Sequence, residues 1–488
     1  MSSVKTALYQ TQQIRACEQK AIEELAIPED ELMARAGTAA FAALTKQFPN
    51  VRNIAVFCGS GNNAGDGYVL ARIAKEKGFS VVVHQYKTAE HLPPAACHAA
   101  LRALAVGVNC QELDEHIDSE CELIVDALLG IGLTGDVQGS LVAAINQINE
   151  SRLPVLALDI PSGLDADTGK IRGVCVKASV TVTFIGRKLG LMTLDGVDNT
   201  GICVCHDLHL AKCLATIPAV AYLLTSSIQK EQLRPRLKNA HKGLFGHVLI
   251  IGGNYGMPGS VCLAAEAAMR VGAGSVTIAT RFDLPLARLP EAMVYRIEKA
   301  SDLNALMKRA TVCVIGPGLG EDEWAQTVFT TALASQLPMV IDAQALRFLA
   351  EQPQYDDNWV LTPHPGEAAK LLDTSTAKIQ DDRYQSVLRL QKTYGGNVVL
   401  KGAGSLIAGD ESVTLCPRGN PGMSSAGMGD VLSGVIAGLI AQGILLPEAS
   451  QLGVWLHACA GDAAALEKGE RGLLASDLMP HLHRLVNE

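Results

Sequence analysis

The sequence predicts an α/β protein of two domains. Three observations carry that reading: apolar strand-like runs alternate with helical patterns, the rhythm breaks near residue 220, and glycine-rich turns follow directly after several strands. A chain of 488 residues exceeds the size of one hydrophobic core. The expected domains are therefore residues 1–220 and 221–488.

In the first half, Thr11 to Leu25 carries Ile14, Ala21, Ile22 and Leu25 at helical spacing, and Pro28 opens a second helix to about Gln47. Strand runs follow at Asn53 to Cys58, Ser80 to Gln85, Leu123 to Leu129, Val155 to Ile160 and Ser179 to Ile185. Strands alternating with helices give a mainly parallel sheet covered on both faces. The stretch around Lys212 to Arg236 has no βα repeat and contains Pro218 and Pro235. A second series then begins at HVLIIGG (His247 to Gly253) and continues through SVTIAT, TVCVIGPGLG, PMVIDAQAL, WVLTPHPGE and NVVLKGAGS. Helices are expected at Gly427 to Gln442, Ser450 to Glu467 and Leu473 to Leu485, and no sequence repeat links the halves.

With 48% hydrophobic and 19% charged residues the chain is globular rather than disordered. A net charge of −9 and only 4% aromatic residues argue against nucleic acid or an anionic membrane as partner. The longest apolar stretch, Val431 to Leu446, is shorter than the roughly 20 residues of a membrane span and reads as a buried helix. The N-terminus lacks the apolar segment of a secretory signal. Thirteen cysteines without a C-x-x-C framework fit a reducing compartment, so the cytoplasm is expected. Cys203, Cys205 and His206 invite a metal reading, but no second ligand cluster stands at zinc spacing, and ordinary thiols explain them better.

Two regions carry chemistry. The strand Asn53 to Cys58 runs into GSGNNAGDG, residues 59–67, before a helix expected from about Tyr68. Such a junction lets the backbone approach a phosphate at a helix N-terminus. A capped glycine turn is the bland alternative. The segments Val125 to Gly135, Leu158 to Gly169 and Thr183 to Gly190 end strands on the same sheet edge. Asn63, Asp126 and Ser162 could there supply oxygen donors to a hard cation, although each aspartate could equally be a helix cap. In the second half, NPGMSSAGMGDVLSG, residues 420–434, leads a glycine loop into an apolar helix. The N–H groups of Gly427, Met428 and Gly429 can face an anion, and Asp430 can take a proton from an attacking hydroxyl. Asp430 could also be only a favourable first-turn acid. The loops KGAGS (Lys401 to Ser405), GPGLG (Gly316 to Gly320) and TPHPGE (Thr362 to Glu367) fall on the corresponding edge, with His364 either ligand or satisfied loop residue.

The N-terminal motifs resemble the YjeF N-terminal family, the NAD(P)H-hydrate epimerases, over about residues 10–215. The resemblance implies that Asn62, Asn63, Ala64, Gly65 and Asp66, with Gly130, Ile131, Gly132, Leu133, Thr134 and Gly135, bind the damaged dinucleotide. It also implies that Asn63, Asp126 and Ser162 hold potassium and that Asp159 is the acid/base. Ala64 stands where the family usually has glycine.

HKGLFGHVLIIGG, GPGLG, TPHPGE, KGAGS and NPGM…GMGD resemble the nucleotide-dependent NAD(P)H-hydrate dehydratases of the ribokinase-like superfamily, over about residues 230–486. Together the two resemblances imply a Rossmann-like three-layer α/β/α domain and, after it, a ribokinase-like α/β/α domain. ADP, with ATP as the other candidate and magnesium as its counter-ion, would be held by Lys401, Gly402, Ala403, Gly404, Ser405, Asn420, Gly422, Met423, Ser425, Gly427 and Gly429. Ala273, Gly318, His364 and Asp430 would face the hydrated nicotinamide nucleotide, with Asp430 the catalytic base, and Ala426 replaces a usual glycine. The expectation is a homo-oligomeric repair enzyme that epimerises hydrated NADH and NADPH and dehydrates the S form. Rival readings are a vitamin or sugar kinase in the second half and a non-catalytic binding role for the first.

Overall fold

The computed structural model describes residues 6–114, 116–282 and 289–488, and the chain divides into two compact units, Met1–Tyr222 and Leu223–Glu488. The strands of the first are β1 (Ala7–Tyr9), β2 (Asn53–Cys58), β3 (Ser80–Gln85), β4 (Asn109–Glu112), β5 (Leu123–Ala127), β6 (Val155–Leu158), β7 (Val180–Phe184), β8 (Arg187–Lys188) and β9 (Ile202–His206), and the short β10 (Ala221–Leu223) spans the boundary. Seven of them form an all-parallel sheet in the order β4-β3-β2-β5-β6-β7-β9. The chain builds outward from β2 to β4, then returns to β5 and builds the other way. The switch point between β2 and β5 leaves a crevice at their carboxyl ends, where ligands bind in such sheets.

Alternation along β2 explains the layers. Ile54, Val56 and Cys58 join the core beneath the helices Glu29–Gln47, Asn62–Glu76 and Pro94–Ala105, while Ala55 and Phe57 join the opposite core with Ala144, Ile145 and Ile148 of the helix Ser140–Glu150. Strands β5 and β6 stop before the expected Leu129 and Ile160. The amide of Leu128 turns to Asp126 Oδ1 (3.2 Å) and that of Leu129 to Ser162 Oγ (2.8 Å), so side chains take over from the ladder. At the end of β6, Asp159 adopts a left-handed φ of 65°.

The second unit contains β11 (His247–Ile251), β12 (Ser275–Thr280), β13 (Met293–Arg296), β14 (Val312–Ile315), β15 (Met339–Ile341), β16 (Trp359–Leu361), β17 (Asn397–Leu400), β18 (Ser405–Ala408) and β19 (Val413–Cys416). Their order is β13-β12-β11-β14-β15-β16-β17-β18-β19, parallel as far as β17 and antiparallel beyond it. Here the switch point lies between β11 and β14. The helices Pro258–Arg270 and Met428–Ala441 pack on one face through Val248, Ile250, Val312 and Val314. Of the apolar run Val431 to Leu446, the part up to Ala441 is one buried helix, which ends in a turn at Gly443, where φ is 86°, before the helix Leu446–Lys468 starts. The last expected helix is shorter, Leu478–Leu485, after a single 3₁₀ turn at Ala475–Asp477. No helix among the described residues is long and apolar enough to cross a membrane.

Candidate active sites

In the first unit the helix after β2 begins at Asn62 rather than near Tyr68, with Gly61 as its extended N-cap. Asn62 to Asp66 are thus a helical first turn, whose free N–H groups and dipole favour an anion. Gly59 makes this turn possible, because a Cβ there would lie 1.8 Å from the Leu128 carbonyl oxygen. Above it opens a cavity of about 660 Å³, lined by Asn62, Asn63, Asp66, Gly130 to Thr134 and Asp159 among others. Ala64 and Gly65 lie buried behind the wall, and Gly135 falls outside the lining. The Ala64 methyl is fully buried without disturbing the turn.

Beneath Leu128 and Leu129, Asp126 is fully buried. Its Oδ1 accepts from Ser162 Oγ at 2.6 Å and its Oδ2 from Ser162 N at 2.8 Å. Burial pushes its carboxyl up to about 6 against these hydrogen bonds. Both amide atoms of Asn63 are buried without a hydrogen-bond partner. The ring of contacts closes at Gly130, where a Cβ would sit 3.2 Å from Asn63 Cβ.

On the cavity floor Asp159 meets Lys188, a fully buried ammonium that also donates to Thr183 Oγ1 and the Phe184 carbonyl, both at 2.9 Å. Phe184 N donates to the same Asp159 oxygen at 3.2 Å. Burial first, then the Asp159 charge, hold Asp66 well above the usual carboxylate range. Cys203, Cys205 and His206 lie along the edge strand β9, His206 Nδ1 accepting from Leu208 N at 3.1 Å. No group of three or more metal-ligating acids, histidines or cysteines gathers among the described residues.

In the second unit Gly316 takes the place that Gly59 has in the first: its φ is 128°, and a Cβ would lie 1.8 Å from the Asp342 carbonyl oxygen. Asp342, directly after β15, receives Lys401 Nζ at 2.9 Å and Ser433 Oγ at 2.6 Å. Burial opposes its ionisation, yet the Lys401 ammonium and these hydrogen bonds hold its carboxyl below the usual range. Lys401 also lies 3.7 Å from Glu367, whose other oxygen is 3.5 Å from His364 Nε2. His364 caps the helix Pro365–Leu371, its Nδ1 accepting from Gly366 N at 2.9 Å.

Asp430 stands in the first turn of the helix Met428–Ala441, whose N-cap Gly427 has a φ of 89°. Ser260 donates to it; burial, then the Asp342 charge, push its carboxyl up to about 6. A Cβ on Gly318 would lie 3.2 Å from Ser260 Cβ, which joins Gly318 to this group. Gly429 borders both Lys401 Nζ and Asp342 Oδ2. Gly402 and Ser405 close their own turn through Ser405 Oγ, at 3.2 and 2.9 Å, with Ala403 and Gly404 between them. Asn420 binds Asp462 at 3.0 Å and caps Gly422 N at 3.0 Å, Met423 packs on Gly461, and Ser425 Oγ is buried without a partner. Ala273 stands apart. It occupies the turn before β12, level with His247 at the amino end of the sheet, whereas Gly318, His364 and Asp430 lie at the carboxyl end. A cavity of about 480 Å³ beside Tyr255, Arg281 and Trp324 contains none of these residues.

Sequence reasoning missed Glu18, Lys188, Ser260, Asp342, Glu367 and Ser433. Asp342 could have been found, since an acid at the carboxyl end of an apolar strand is the pattern that singled out Asp126 and Asp159.

Carboxylates gathered at two separate sheet-edge sites, each beside a helix N-terminus, define an α/β protein with two candidate active sites. Residues 29–190 match the family model described as YjeF-related protein N-terminus, and residues 248–484 match that of NAD(P)H-hydrate dehydratase. The bifunctional NAD(P)H-hydrate repair enzyme of Coxiella burnetii is 47% identical over 99% of this chain and 100% of its own, and that of Escherichia coli 40% identical over 99% and 95%. A solved ribokinase-like superfamily protein from Enterococcus faecalis is 31% identical with a TM-score of 0.51, covering 54% of this chain and 95% of its own. The chain belongs to the family of bifunctional NAD(P)H-hydrate repair enzymes.

Proposed function

We propose that the first unit interconverts the R and S forms of hydrated NADH and NADPH, and that the second dehydrates the S form at the expense of ADP, or of ATP. The observation that carries the reading is Asp430, a half-buried carboxylate in the first turn of a glycine-opened helix with Lys401 close by.

Hydration saturates the 5,6 bond of the nicotinamide ring and leaves a hydroxyl at C6, a poor leaving group near neutral pH. Asp430 takes the proton of that hydroxyl as its oxygen attacks the terminal phosphorus of the nucleotide, and the bond to the shortened nucleotide breaks. The N–H groups at the helix start hold the transferring charge. The ring nitrogen then expels phosphate from C6, and loss of one C5 proton to water restores the double bond. Lys401 to Ser405, Asn420, Gly422, Met423, Ser425, Gly427 and Gly429 are the proposed nucleotide cradle, and the unpartnered Ser425 hydroxyl fits that role. Magnesium would be held through the nucleotide's own phosphates, where it would offset their charge.

Potassium fits the first site. The buried Asn63 carbonyl oxygen lacks a partner, and the fully buried Asp126 is stabilised by hydrogen bonds rather than by a cationic side chain. Such an ion supplies fixed positive charge to oxygen donors, and Asn63, Asp126 and Ser162 would hold it. Asp159 acts as acid/base, held by Lys188. Thirteen free cysteines support a cytoplasmic setting. Incubating the full chain with mixed hydrate epimers tests the reading: with ADP or ATP both epimers should be consumed, without nucleotide they should only interconvert. A stable phosphorylated product from a vitamin or sugar would overturn it.

A further inference from the structure

We propose that Glu18 is the second proton carrier of the epimerase site, working across the nicotinamide ring from Asp159; this rests on the epimerase reading above. The helix Thr11–Leu25 places Ile14, Arg15, Glu18 and Ile22 on one stripe, at spacings of three and four residues, and all four line the 660 Å³ cavity. Asp159, Lys188 and Asp66 line the same cavity from the carboxyl edge of the sheet. Arg15 reaches the loop 130–134, its Nη2 3.8 Å from where a Gly132 Cβ would stand, so the helix wall covers the dinucleotide loop. Glu18 forms no ion pair among the described residues.

Inversion at C6 explains why two carriers are needed. The departing hydroxyl leaves one face of the ring and the incoming water arrives at the other, beyond the reach of a single carboxyl. On one face a carboxylic acid gives its proton to the C6 hydroxyl, and the C–O bond breaks with its electron pair on the oxygen that leaves as water. The N1 lone pair meanwhile forms a C6=N1 iminium. On the other face water bonds to C6, the π pair returns to N1, and a carboxylate takes the surplus proton. Nothing is oxidised or reduced, and the pair has passed one proton from one member to the other. The reverse epimerisation uses the same two groups with their roles exchanged.

Asp159, ion-paired with Lys188, takes the part of the base. Glu18 suits the acid: burial, then the Asp159 charge, push its carboxyl up to about 7, with Lys188 and Arg15 pulling down and Glu29 pushing up. Asp66, facing from the start of the next helix, is itself pushed well up, by burial first and then by the Asp159 and Glu18 charges.

The test tracks conversion of the purified S hydrate to the R form by chromatography, without nucleotide, so that the second unit is idle. In the parent, kcat/KM should fall as pH rises through about 7. Glu18→Gln should lower kcat on the order of 100-fold, remove that limb, and leave ADP-dependent dehydration at the parental rate, which also reports that the chain is folded. Glu18→Asp should restore part of kcat and the limb. Parental kcat in Glu18→Gln, a raised KM with unchanged kcat, or loss only in Asp66→Asn would each overturn the proposal. So would a parental profile flat from pH 6 to about 8, a measurement that needs no variant. A parent that does not epimerise at all defeats the epimerase reading itself.

Discussion

Replacing Asp430 by asparagine keeps the size of the side chain and its place at the helix start but removes the proton acceptor. The carboxyl of Asp430 is pushed up to about 6. At pH 7 about nine-tenths of the molecules therefore carry the working carboxylate, and at pH 5 about one-tenth. Parental dehydration should accordingly fall about tenfold between pH 7 and pH 5, because the base must be ionised to accept a proton. Asp430→Asn should lose on the order of 100-fold or more at pH 7, equivalent to about 2.7 kcal/mol of transition-state stabilisation, with the acid limb abolished. Recovery of NADH from the S hydrate measures the rate, and titration calorimetry measures nucleotide affinity, which should stay near the parental value. Turnover at the parental rate, or a parental rate unchanged from pH 7 to 5, would refute the assignment.

Lys188→Met leaves Asp159 buried without its ammonium. It should destabilise the first unit by about 3–5 kcal/mol, lowering its calorimetric transition by about 6–20 °C, and a transition at the parental temperature would contradict this. Asp126→Ala should abolish the anomalous peak of rubidium at Asn63 and Ser162 in crystals grown in rubidium salts, together with epimerisation, while dehydration persists. Gly316→Ala would put a methyl on the Asp342 carbonyl and displace the Asp342–Lys401 pair; dehydration should drop and epimerisation should not. Residues 1–222 and 223–488, expressed separately, should each give a cooperative unfolding transition and one of the two activities.

The central strands were legible because parallel strands buried on both faces are near-continuous apolar runs, as in Leu123–Ala127 and His247–Ile251. Edge strands escaped notice for the same reason. Asn109–Glu112 is polar and half-exposed, Ile202–His206 alternates, and its cysteines drew attention as thiols rather than as a strand. In the sites, glycine loops announce themselves, whereas their partners come from elsewhere in the chain. Lys188 lies in a two-residue strand and Glu18 on a helix well before the first loop, so only the fold makes them neighbours of Asp159. Ala273 is the opposite case: the family resemblance named it, and the turn it occupies enters a strand instead of leaving one.

The division into two compact units has a consequence for dosage. The Enterococcus faecalis protein, 95% of which is covered by about half of this chain, shows that the second unit's fold exists as a chain of its own. Joining both units in one polypeptide therefore answers a different need from folding. Translation delivers one epimerisation centre with each dehydration centre, whatever the promoter strength or growth state. A cell with separate genes could make either in excess and let the unusable epimer pile up; one reading frame sets the ratio at synthesis.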